Sequence, residues 1–137
     1  MDVCHIFISY SWAFGRTHRD LIKLLENRGC FDFVDYSISQ EGPIEIDVKP
    51  KYKSEIKEEI KELMRECQIV LVIAGAYVNY SDFIQMEIES AKELGKPIIA
   101  IKPYGASRTS SFVEEAADTI VNWNVNAIIQ AINEYCE

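Results

Sequence analysis

Glu87 is the residue whose type and place most demand a chemical reason. At about 100° per residue, Phe83, Ile84, Ile88, Ala91 and Leu94 fall in one arc of roughly 140°, the face of a helix that packs on a core. Glu87 falls inside that arc, whereas Gln85, Glu89, Lys92 and Glu93 point away. A carboxylate on an apolar face must find donors or bear a desolvation cost of about several kcal/mol. A structural reading gives it a buried donor or lets it snorkel to the rim. A chemical reading turns it toward a crevice, where it binds sugar hydroxyls and stabilises positive charge developing on a ribose ring. Spacing alone does not choose between them.

Two segments supply groups suited to such a crevice. Tyr10-Ser11-Trp12-Ala13-Phe14-Gly15 and Gly75-Ala76-Tyr77-Val78-Asn79-Tyr80 combine aromatic rings with small hydroxyl and amide groups. That composition stacks a flat ring and hydrogen-bonds a sugar. Ser9 and Ser11 either contact a ligand or cap and turn the backbone, and Trp12 either stacks or packs beneath its loop. Tyr77 and Asn79 are weaker candidates. Asp35 ends a strand, a place where acids commonly begin a turn, and Ser81 is suited to cap the helix that carries Glu87. Of the two histidines, His5 lies inside a strand and reads as structural, and His18 belongs to an exposed helix start.

The elements that must position these residues alternate. Apolar runs rich in β-branched residues mark strands at Val3 to Ser9, Phe31 to Val34, Gln68 to Ala74 and Pro97 to Ile101, with a weaker fifth at Thr119 to Val121. Ile69 to Ile73 and Ile98 to Ile101 are continuous rather than alternating, as in strands covered on both faces. Helical periodicity fills Thr17 to Asn27, Lys53 to Arg65, Ser81 to Leu94, Ser111 to Ala116 and Val125 to Tyr135. Gly29 and Gly95 follow two of these helices, where a left-handed cap is usual. Strict alternation implies right-handed crossovers and a three-layer α/β fold with a five-stranded parallel sheet, in the flavodoxin-like order 2-1-3-4-5. Ligands of such sheets bind beyond the C-terminal strand ends where the order reverses, here between strands one and three. The connection from Tyr36 to Tyr52 reads as a long functional loop.

Bulk properties narrow the classes. The 137 residues, 48% hydrophobic and 26% charged, fit one globular domain spanning 1–137. A net charge of -8, with no local basic patch, argues against nucleic-acid or anionic membrane partners. No apolar run reaches the roughly 18 residues of a membrane span and no secretion signal is evident, so a cytoplasmic location is expected. Cys4, Cys30, Cys67 and Cys136 are scattered singly, with no CxxC pair. They read as reduced thiols at or near the core, without a zinc site or a disulfide framework.

Three stretches carry a family resemblance. His5-Ile6-Phe7-Ile8-Ser9-Tyr10-Ser11-Trp12 resembles the opening strand and loop of TIR domains, and Phe33-Val34-Asp35-Tyr36-Ser37 resembles their second strand and the start of the BB loop. Ser81-Asp82-Phe83-Ile84-Gln85-Met86-Glu87 is similar to the family's Ser-x-Trp-Cys-x-x-Glu, with Phe83 and Ile84 in place of the usual Trp-Cys pair. Lys96-Pro97-Ile98-Ile99, Lys102-Pro103-Tyr104-Gly105 and Val121-Asn122-Trp123-Asn124 are similar to the TIR-like subunit of Thoeris anti-phage systems. The resemblance implies a TIR fold and a catalytic role for Glu87 in cleaving NAD, with Tyr36 and Phe83 joining the substrate-binding candidates. It further implies a cyclic ADP-ribose isomer as a signal to a separate effector protein. NAD would be substrate, with no resident cofactor or metal, and TIR surfaces with the BB loop would be available for homo-oligomers.

The alternative within the family is a silent adaptor, whose BB loop joins other TIR surfaces and whose Glu87 is structural. A phospho-receiver is excluded, because Ser9-Tyr10-Ser11 and Ala74-Gly75 stand where that chemistry needs acids for magnesium and phosphate. A flavin-binding protein and a nucleoside deoxyribosyltransferase are further readings, separable by colour and by a substrate screen.

Overall fold

The computed structural model describes residues 3–9, 15–28, 33–35, 50–73, 82–102 and 111–136. The element order is β1 (Cys4–Ser9), α1 (Gly15–Arg28), β2 (Phe33–Asp35), α2 (Pro50–Arg65), β3 (Ile69–Ile73), α3 (Asp82–Glu93), β4 (Ile98–Ile101), α4 (Ser111–Ala116), β5 (Thr119–Val121) and α5 (Val125–Tyr135). All strand pairs are parallel and the sheet runs β2-β1-β3-β4-β5, the expected order.

Every residue of β3 and β4 is buried, which is what their unbroken apolar runs require of strands covered on both faces. Alternate side chains feed two cores. Phe7, Val70, Val72, Ile98 and Ala100 pack with residues of α2, α3 and α4 on one side of the sheet. Cys4, Ile6, Ile8, Leu71, Ile99 and Ile101 pack with residues of α1 and α5 on the other. The strand parity therefore puts Ser9, two residues beyond Phe7, on the face that α3 covers.

Side chains pin the strand registers where the chain enters the sheet. Gln68 accepts the His5 N–H on Oε1 at 2.9 Å and donates its own N–H to the His5 carbonyl at 2.8 Å. Asp118 does the same for β4, taking the Ile98 N–H at 2.8 Å and donating to the Ile98 carbonyl at 2.8 Å.

Three expectations need correction. Helix α2 starts at Pro50 rather than Lys53, so the connection expected to reach Tyr52 ends earlier; proline's fixed φ suits a first helical position. Strand β2 ends at Asp35, as that acid's place suggested, one residue past the apolar run expected to stop at Val34, because pairing with β1 and not hydrophobicity sets the extent of an edge strand. Cys4 and Cys136, expected as reduced thiols, are joined by a disulfide with their Cα atoms 6.2 Å apart. Their separation of 132 positions carries no pairing signal; the fold brings the start of β1 to the end of α5. Cys67 is a free, buried core thiol as expected, and Cys30 lies outside the described residues.

Candidate functional site

Helix α3 lies between α2 and α4, so its flanks are covered as well as its base. Ile84, Ile88 and Ala91 are buried as the periodicity predicts, and Met86 is buried too. Glu89, Lys92 and Glu93 are exposed. Glu87 sits among the buried set with 1% of its surface accessible.

Three polar side chains are fully buried among the described residues: Ser9, Glu87 and Ser90. Ser90 is accounted for within its own helix, since its hydroxyl donates to the Met86 carbonyl at 2.7 Å. The other two meet each other. The Ser9 Oγ donates to Glu87 Oε1 at 2.9 Å, across 78 positions of sequence. This contact rules out the snorkelling arrangement and supplies the carboxylate with a buried donor.

The pair stands at the C-terminal end of β1, where Ser9 lies opposite Val72 of β3. Because β2 and β3 flank β1, this is where the strand order reverses, the position where open α/β sheets bind ligands. The chain leaves Ser9 directly into the aromatic segment Tyr10 to Gly15. Tyr10, Ser11, Trp12, Phe14, Tyr36, Tyr77, Asn79 and Ser81 lie outside the described residues, as does the side chain of Phe83.

Asp35 is placed elsewhere. It lies opposite Ile6, three positions back from the end of β1, and its Oδ2 is 3.0 Å from Nε2 of His18 in α1. Helix α1 covers the other face of the sheet, so this contact is separate from Ser9 and Glu87. His18, expected at an exposed helix start, is largely covered, with 16% of its side chain accessible. Neither the charge pattern nor the periodicity signalled that partnership. No cluster of three metal-ligating side chains occurs among the described residues.

A cavity of about 530 Å³ lies on the surface formed by α2, α3 and α4. Lys57, Lys92, Glu89 and Glu93 line it, and neither Ser9 nor Glu87 does. Its size does not make it the site, because its charges are solvated surface groups of both signs. Glu93 bridges Lys57 and Lys61 there; the hydrogen bond from Lys57 is the main influence holding the Glu93 carboxyl below its usual range.

A family model described as the TIR-like domain of the Thoeris protein ThsB matches residues 7–108, well over half of the chain. The chain belongs to the ThsB TIR-like family of Thoeris systems. The segment shared with other ThsB-type domains contains Ser9, Asp35 and Glu87. Cys4 and Cys136 both fall outside it.

Among solved structures, the CMP N-glycosidase BcmB of Clostridium botulinum has a TM-score of 0.51 at 17% identity, covering 96% of this ThsB-type chain and 99% of its own. A 3-dehydroquinate dehydratase-like protein from Bifidobacterium longum has a TM-score of 0.55 at 10% identity, covering 98% and 95%. The UDP complex of MnaA from S. aureus has a TM-score of 0.58 at 14% identity over 98% of this chain and 41% of that one. At these identities the likeness shows the fold. No curated protein matches the sequence significantly.

Proposed function

We propose that this ThsB-type domain cleaves the bond between nicotinamide and ribose in NAD and closes the remaining fragment into a cyclic ADP-ribose isomer that signals to a separate effector in anti-phage defence. The observation that carries the reading is the buried contact between Ser9 and Glu87 at the end of β1, where the strand order reverses. Family membership supports it. The N-glycosidase activity in the description of the C. botulinum protein shows that a similar fold serves nucleotide glycosidic-bond cleavage there.

In this reading NAD is substrate, lying across the loops that follow β1 and β3, with rings stacked on Trp12, Phe14 or Tyr77. The C1′–N bond breaks with its electron pair going to the pyridine nitrogen. Nicotinamide thus departs neutral from a cationic ring and needs no general acid. The ribose is left as an oxocarbenium-like cation, which the Glu87 carboxylate stabilises by its charge and by holding sugar hydroxyls. Capture by a nitrogen or oxygen of the same molecule closes a ring, with loss of a proton where the nucleophile carries one. Capture by water gives ADP-ribose and a proton, so exclusion of water decides the product.

The test is chromatography of NAD incubated with the wild type and with Glu87→Gln, at high protein concentration and with the infection trigger supplied. Nicotinamide release should fall by about 10²-fold or more in the variant, the scale of losing one charge-stabilising group, while circular dichroism is unchanged. The second reading is the silent adaptor, favoured by the fact that Ser9 already supplies Glu87 with an internal donor. Wild type that leaves NAD untouched under these conditions establishes it.

A further inference from the structure

We infer that Ser9 is a positioning residue for Glu87, setting the orientation of its carboxylate for the reaction, and not a substrate contact; the inference rests on the functional reading above. Ser9 is the last residue of β1, where the strand pairs with Val72 of β3. Its backbone is therefore anchored to the central strand of the sheet. A serine hydroxyl has one proton to give, and this one goes to Glu87 Oε1 at 2.9 Å. It is not available to donate to a sugar hydroxyl at the same time.

The need for such a partner follows from the glutamate. A Glu side chain loses about 1.5–2 kcal/mol of rotamer entropy when fixed, and Glu87 must be held against a sheet that offers mainly apolar atoms. Ile84, Ile88 and Ala91 fix where α3 sits. The Ser9 hydroxyl adds a directional contact from the strand to the carboxylate itself. A displacement of about 1 Å in a catalytic group costs on the order of 10²-fold in rate, so a positioning hydroxyl is read out in turnover more than in affinity.

The experiment is steady-state kinetics of NAD cleavage for wild type, Ser9→Ala, Glu87→Gln and the double variant, each with its melting temperature. Ser9→Ala should lower kcat by about 10-fold to 100-fold with KM within about twofold of wild type, as expected when an interaction acts only in the transition state. In the residual activity of Glu87→Gln, measured at high protein concentration, removing Ser9 should change kcat no further, because its effect passes through the missing carboxylate. A serine that only supported the fold would lower activity again in that background. A raised KM with unchanged kcat makes Ser9 a substrate contact and overturns the inference, as does an unchanged Ser9→Ala enzyme. If Ser9→Ala does not fold, Ser9→Cys keeps nearly the same volume with a weaker donor and should show a smaller loss in kcat. An inactive wild type overturns the functional reading and this inference together, whereas an active wild type with a fully active Ser9→Ala overturns the inference alone.

Discussion

Burial among the apolar side chains of α2, α3 and the sheet pushes the Cys67 thiol up to about 12, above its ordinary 9.0, with the nearby Lys96 charge opposing the shift. Its sulfur lies 3.6 Å from the Leu63 carbonyl, so the protonated form is also the one that has a partner. The thiol form is favoured by the fold, and this contribution to stability is present below about pH 9 and lost as pH rises toward 12. At pH 8, iodoacetamide should leave Cys67 unlabelled in the native protein and label it promptly in denaturant, with peptide mass mapping as the readout. Labelling in the native state at the denatured rate would contradict the packing of this core. The oddity of Glu87 was readable because it follows from helical periodicity, whereas Cys67, between α2 and β3, was legible as a core thiol only from its residue type. The partner of Glu87 was not. Ser9 precedes it by 78 positions, and only the alternation of β1 together with the crossover from β3 to α3 brings the two to the same place.

At the scale of elements, α3 ends on a glycine for a backbone reason. Gly95 has φ +69, its N–H reaches the Lys92 carbonyl at 3.2 Å, and the Lys96 N–H reaches the Ala91 carbonyl at 2.9 Å. This is the paired hydrogen-bond pattern of a left-handed helix stop. A Cβ built on Gly95 meets nothing within 4 Å, so any penalty comes from the backbone angle and not from crowding. Gly95→Ala should therefore cost about 1 kcal/mol, seen as a lower denaturant midpoint with an unchanged slope. This glycine was legible because its φ requirement is local. Asn124 carries an equally local signal as a helix N-cap, its Oδ1 accepting the Ala127 N–H at 3.0 Å at the start of α5. The ends of β2 were less legible, because a three-residue edge strand with Val34 40% exposed is defined by what β1 offers it. Pro50 was a usable signal for the start of α2 that the apolar periodicity, which begins later, obscured.

For the molecule as a whole, the disulfide closes nearly the entire chain into one loop, tying the first strand to the last helix. Chain-entropy arguments assign such a long closure about 4–5 kcal/mol through the unfolded state. Reduction, or the Cys4→Ser/Cys136→Ser double variant, should lower the melting temperature of the oxidised protein by about 10 °C or more, and reductant should have little further effect on the double variant. Equal melting with and without reductant would show that the bond does not constrain the unfolded chain. The sheet order was readable because unbroken apolar runs and strict alternation leave few topologies, but nothing local announces a covalent bridge between distant thiols. Among the described residues no helix is long and apolar enough to cross a membrane. One practical consequence follows from the direction of β1. Cys4 opens that strand and Ser9 closes it, about 16 Å away at 3.3 Å per residue, and Cys136 is bonded to Cys4. The disulfide therefore sits at the pole opposite the proposed catalytic mouth, and a fluorophore placed beside it, at the exposed Val3, would leave that mouth facing the solution.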